Sequence, residues 1–170
     1  MTRVMFAAVL LVIGMLPVAA TASAQETGNS TRFVAHLNAA QEVQTPAVVS
    51  NASGTGTFRI TDNDTKIHFR LSSRGLDRIT QAHIHLAPKG MNGGIVLFLF
   101  PVGPGVSGDG WSVSGTVTAA DVVPPATGTA PTFAEIVAAI RAGNAYANIH
   151  TKAHPAGEIR GQLLPGGEHD

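Results

Sequence analysis

The stretch 54–72 reads GTGTFRITDNDTKIHFRLS. In its second arm Ile67, Phe69 and Leu71 point to one side and Lys66, His68 and Arg70 to the other. That is the period-two pattern of a strand with one face buried. Between the arms, Asp62, Asn63 and Asp64 are a strong turn signal. Turn chemistry of this kind between two β-forming arms specifies an antiparallel hairpin.

Outward from the hairpin the same alternation recurs. In residues 32–38, Phe33, Ala35 and Leu37 oppose Val34, His36 and Asn38. In residues 81–86, Ala82, Ile84 and Leu86 form a core face, and Gln81, His83 and His85 form the other. Residues 95–100 (IVLFLF) are apolar on both faces, as in a central strand or one covered on both sides. Residues 111–118 are β-formers with Gly115 inside, the mark of a bulge or a close approach. A single helix is predicted over 132–142. Thr132 and Glu135 make a capping box, Phe133, Ile136, Val137 and Ile140 one apolar stripe, and Gly143 a stop. Beyond it, Ala145, Ala147 and Ile149 alternate with Tyr146, Asn148 and His150. After a turn at 154–157, Ile159, Gly161 and Leu163 alternate with Glu158, Arg160 and Gln162. The expected fold is mainly β, an antiparallel Greek-key sandwich or barrel of about eight strands with one short crossover helix.

The ends read differently. Arg3, the apolar run 4–16 and the small residues Ala22 and Ala24 give residues 1–24 the form of a signal peptide cleaved after Ala24. The product is expected to be secreted or periplasmic, with no stable membrane span after cleavage. Residues 25–31 read as a flexible N-terminus, 32–164 as one β domain and 165–170 as a polar tail. With no cysteine, disulfides, thiolate metal sites and cysteine catalysis are excluded. Eleven basic residues balance eleven acidic ones without a basic stripe, which argues against nucleic acid as a partner. No P-loop, dinucleotide fingerprint or ordered Ser/His/Asp set is present.

What chemistry there is lies in seven histidines. Same-face neighbours on a strand are roughly 6.5–7 Å apart at the backbone, so His83 and His85 can converge on one ion. His150 lies on the polar face of its own strand, with His154 a turn later and His36 a further candidate. An all-imidazole set suits copper(II) or zinc, with carboxylates as helpers. Tyr146, Asn148, Glu158 and Arg160 share the polar faces of the last strands and are candidates to orient the imidazoles. His68, between Lys66 and Arg70, reads as an ordinary solvated residue. These readings place a metal site on an exterior patch of the barrel. Purely structural histidines, paired only with carboxylates, are the remaining possibility.

Several segments also resemble a known family. They are residues 82–86 (AHIHL), 90–100, 111–121, 143–151 (GNAYANIHT) and 155–162 (PAGEIRGQ). From about Arg32 to Leu163 the chain resembles the CHRD (chordin) domain. The resemblance implies a secreted β-rich module, found in animal chordins and in small exported bacterial proteins. The animal role, antagonism of growth-factor signalling, belongs to multidomain proteins with cysteine-rich repeats that are missing here. A second similarity is to copper/zinc superoxide dismutases, exported β-barrels with a His-x-His strand pair and a late arginine. It implies His83, His85 and His150 as copper ligands and Arg160 as the guiding arginine, although the disulfide of those enzymes has no counterpart. Two functions follow as expectations: a non-catalytic binding or structural module with a metal-binding histidine site, or a copper-dependent redox enzyme of superoxide dismutase type.

Overall fold

The computed structural model describes residues 31–106, 110–125 and 128–166. The segment read as a signal peptide, most of the N-terminal arm, Asp109, His169 and most of the polar tail lie outside these residues. Nine strands form one antiparallel sheet: β1 (Arg32–Asn38), β2 (Ser53–Thr61), β3 (Lys66–Arg74), β4 (Ile79–Leu86), β5 (Gly94–Phe100), β6 (Ser112–Val117), β7 (Ala145–Thr151), β8 (Ile159–Gln162) and the two-residue β9 (Leu164–Pro165). Among the described residues a single α-helix, α1 (Phe133–Arg141), precedes β7. The strand order is β5-β4-β7-β8-β1-β2-β3-β6, with β9 beside β1.

The sheet curls until its ends nearly meet, so the fold is barrel-like. Leu97 of β5 bridges Val122, just past β6, and the Val123 N–H donates to the Val96 carbonyl at 2.9 Å. Phe100 meets Trp111 edge-on at 5.3 Å, before β6. The apolar run of β5 is therefore not that of a central strand. It stands last in the ladder, and the chain after β6 occupies its outer edge.

The β2–β3 hairpin pairs without a slip, from Ser53 opposite Arg74 to Thr61 opposite Lys66. Asp62, Asn63 and Asp64 all take left-handed φ (54°, 54° and 66°), the conformation that short polar side chains tolerate. Gly115 is a close approach: a Cβ there would stand 3.0 Å from the Phe69 ring of the neighbouring strand. At α1 the capping box is complete, because Thr132 Oγ1 accepts from the Glu135 N–H and the Glu135 carboxylate accepts from the Thr132 N–H. Phe133, Ile136, Val137 and Ile140 are buried, so the helix closes the barrel interior with its stripe. Arg141 then grips Asp64 with two bonds of 2.6 and 2.7 Å, tying the helix end to the hairpin turn.

The interior holds Phe33, Leu37, Phe58, Ile60, Ile67, Leu71, Ile84, Leu97 and Ile149, with Ala35, Ala82, Ala145 and Ala147 between them. These are the faces that the alternation predicts. The opposite faces do not behave alike. On β3, His68 and Arg70 are exposed, but every residue of β7 and β8 is buried, including Tyr146, Asn148, His150, Arg160 and Gln162.

A buried imidazole cluster as candidate metal centre

Three loops cover the outer face of β4, β7 and β8, and polar side chains anchor them. The loop before β2 is held by Glu42, which accepts from Asn148 Nδ2 at 2.6 Å, and by Gln44, whose Nε2 donates to the Gly157 carbonyl. The β4–β5 loop is held by Arg160, which donates to Asn92 Oδ1 at 3.0 Å and to the Met91 carbonyl at 2.9 Å. The β7–β8 loop is held by Glu158, whose carboxylate accepts from Ser50 Oγ and Thr151 Oγ1, both at 2.6 Å. All but the neutral Gln44–Gly157 bond are charge-assisted, in a sheltered place where each counts for more than in water.

The histidines lie under these loops. Adjacent strands set the register, with Gln81 opposite His150, His83 opposite Asn148 and His85 opposite Tyr146. Shifts in β4 between Ile79 and Gln81, Ala82 and His83, and Ile84 and His85 re-aim the side chains locally, as bulges beside functional sites do. The ring of His83 is 4.8 Å from that of His150 and 5.5 Å from that of His85, and one nitrogen from each of the three lies within 4.8 Å of the others. Three nitrogens around one ion, at bonds of about 2.0–2.1 Å, are about 3.3–3.6 Å apart. Closing onto an ion therefore requires ring movements of less than about 1 Å.

The expectation of an exterior patch is overturned. His83 is 0 % exposed, His150 6 % and His85 9 %. Strand alternation assigned them to the outward face correctly, but the loops bury that face. Nor do carboxylates hold the rings. His85 Nδ1 donates to the Gly93 carbonyl and His150 Nδ1 to the Pro155 carbonyl, each at 2.9 Å. A carbonyl only accepts, so both rings carry their proton on Nδ1 and present a lone pair at Nε2. His83 Nδ1 and Nε2, His85 Nε2 and His150 Nε2 are buried with no hydrogen-bond partner. Burial pushes the His83 pKa down to about 3 and the His85 pKa down to about 4, and lowers that of His150. All three are neutral near pH 7, the form that binds metal.

The other candidates divide. Tyr146 lies flat against His85, centroids 4.7 Å apart and planes 2° off parallel, and the Arg160 guanidinium sits 3.8 Å from the Tyr146 centroid. Asn148 and Glu158 anchor loops. None of these four makes a hydrogen bond to an imidazole; they act by stacking and by holding the cover in place. His154 is outside the cluster. It is half-buried and closes the turn ahead of Pro155, its N–H donating to Thr151 Oγ1 and its carbonyl accepting from Gly157. His36 is exposed on β1, away from the cluster, and His68 is exposed beside Thr116. The sequence did not single out Phe98, edge-on to His83 at 4.5 Å, Glu42, or the carbonyls of Gly93 and Pro155. The signal that was available for Phe98 is its alternation in the β5 run; backbone carbonyls leave none.

A barrel-like antiparallel sheet with a sealed set of neutral imidazoles defines a small β module with a donor cluster under its loops. The CHRD domain family model matches residues 33–163, and the chain belongs to that family. No curated protein and no solved structure matches the chain. Among the described residues no helix is long and apolar enough to cross a membrane.

Proposed function

We propose that this chain is an exported, non-catalytic binding module whose His83, His85 and His150 hold one transition-metal ion, copper or zinc. One observation carries the reading: four ring nitrogens of three neighbouring histidines are buried without a partner. Leaving a buried donor or acceptor unmet costs about 1–3 kcal/mol. At least one nitrogen of neutral His83 is an N–H, so the cost falls on donors and acceptors alike. An apolar residue at these positions avoids that cost, and a bound ion removes most of it. The set of donors, imidazole only, fits copper or zinc. Family membership supports the module, and residues 1–24 support export, with mature chain starting at Gln25.

The rival reading is a copper enzyme acting on superoxide. It needs an open coordination position on the ion. Here the ring nitrogens are sealed, and Arg160 is 2 % exposed and committed to the β4–β5 loop. That geometry favours holding over turnover.

The test is titration of the purified chain with copper and zinc salts, followed by calorimetry and thermal melting. One ion per chain is expected, with stabilisation of about 2.7 kcal/mol at a hundredfold excess over Kd. His83→Ala and His150→Ala are expected to abolish it. Failure of every metal to bind removes the proposal, and superoxide consumption by the loaded chain establishes the rival.

A further inference from the structure

We propose that the ion this cluster is built to hold is monovalent copper; the inference rests on the metal reading above. Three features of the site converge on it.

The first is charge. The three rings are neutral donors, and among the described residues no Asp or Glu oxygen joins their nitrogens in the cluster. Both nearby carboxylates are spoken for, Glu158 by Ser50 and Thr151 and Glu42 by Asn148 and Gln44. The fixed charge that acts on His85 is the Arg160 guanidinium, which is positive. The cost of moving an ion from water into a low-dielectric interior grows with the square of its charge, so a divalent ion meets roughly four times the desolvation cost of a monovalent one. With no anion among the donors to offset it, this pocket penalises Zn(II) and Cu(II) relative to Cu(I).

The second is ligand number. Zinc with three protein ligands completes its shell with a water or substrate in a fourth position. Cu(II) likewise seeks a tetragonal shell of four or more donors. Cu(I), a monovalent and weaker Lewis acid, is content with three. The cluster supplies three nitrogens and seals them from solvent.

The third is the wall. Phe98 stands edge-on to His83 and Tyr146 lies flat on His85, so aromatic surface lines two of the three rings. An apolar, closed wall also shields a bound Cu(I) from dioxygen, which matters in an oxidising compartment.

The experiment is anaerobic competition for Cu(I) against the chromophoric chelator bicinchoninate, set beside separate titrations with Zn(II) and Cu(II). The chain is expected to withdraw one Cu(I) from the chelator and to hold it at least about tenfold more tightly than Zn(II). His83→Ala and, as a gentler change, His150→Gln are expected to weaken Cu(I) binding by about 100-fold, the upper range even for groups that only orient a ligand. Circular dichroism verifies that each variant folds, and His68→Ala, an exposed site, is expected to bind as the parent does. Zinc or Cu(II) binding that is lost in the same variants, with Cu(I) equal or weaker, overturns this inference and leaves the metal reading standing. Cu(I) binding that survives both variants overturns the assignment to this cluster. No binding of any of the three ions removes both.

Discussion

Tyr146 lies parallel to His85, 2° between ring planes and 4.7 Å between centroids, and the strand order β4-β7-β8 stands it between that histidine and Arg160. The arrangement is a stack of cation, phenol and imidazole across three strands. Its role is to fix the His85 ring, whose Nδ1 is anchored at Gly93 and whose Nε2 is buried without a hydrogen-bond partner.

Removing the phenol oxygen alone tests how much of that role is stacking. Tyr146→Phe loses only a long bond in which the hydroxyl accepts from the Gly93 N–H at 3.3 Å. A stability change under about 1 kcal/mol is expected, with metal binding retained. Tyr146→Ala removes the ring itself, and a loss of about 3–5 kcal/mol is expected for a buried aromatic. Denaturant titration of the two variants checks the contrast; equal losses would show that the hydroxyl rather than the stack matters.

Glu158 anchors the cover. Its carboxylate accepts two hydroxyl bonds of 2.6 Å, from Ser50 in the loop before β2 and from Thr151 at the end of β7. Bonds to a charged group contribute about 1.5–3 kcal/mol each, so Glu158→Ala is expected to destabilise the chain by about 3 kcal/mol. Glu158→Gln keeps one acceptor and is expected to fall about midway. Amide hydrogen exchange is the readout that separates this from general damage. Protection is expected to fall first in residues 42–52 and 152–158, and a uniform loss across the sheet would contradict the anchoring role.

Gly161 is where β8 meets β1. A Cβ there would fall 2.4 Å from the His36 carbonyl oxygen and 3.1 Å from the Leu37 nitrogen, both backbone atoms that cannot swing aside. Gly161→Ala is therefore expected to be destabilising by at least about 1–3 kcal/mol, by forced overpacking. Gly143→Ala, at a positive φ but with open space around it, is expected to cost only about 1 kcal/mol. Thermal melts of both variants test the ranking, and a milder effect at position 161 than at 143 would argue against the β1–β8 contact.

The alternation of small sets of residues made most of the fold legible. Ile67, Phe69 and Leu71 fixed the inner face of β3, and Thr132 with Glu135 fixed the start of the helix, because both signals act within a few residues. The shared face of His83 and His85 was also readable, since strand geometry sets it, whereas the pairing of β4 with β7 that brings His150 to them is long-range. What local pattern did not carry was burial of the outer face, which depends on three loops from distant parts of the chain. A trace of it was present all the same. The outer residues of β3 include Lys66 and Arg70, whereas those of β7 are Tyr146, Asn148 and His150, polar without a lysine. Such a face hydrogen-bonds well and needs no water. The β4 register shifts and the two-residue β9 arise from sheet closure and have no local signature.

Acid sensitivity follows from the same burial. A histidine whose folded pKa lies below its unfolded value binds fewer protons when folded, so the native state loses stability as pH falls between those values. For His83 the window runs from its ordinary 6.5 down to about 3, and for His85 from 6.5 down to about 4, with His150 shifted in the same direction. At pH 5, midway through the window, one such histidine contributes about 2 kcal/mol of destabilisation relative to pH 7. Glu42 is raised by burial and acts oppositely: it favours the fold in acid and loses that contribution as pH climbs through its folded value. Three histidines outweigh one carboxyl, so the metal-free chain is expected to weaken steadily from pH 6.5 downward. His83→Phe, which keeps the ring volume and removes the titrating group, is expected to flatten that slope by about a third. Urea midpoints measured from pH 7 to pH 4 on both chains decide it, and parallel curves would mean that His83 does not titrate as a buried group.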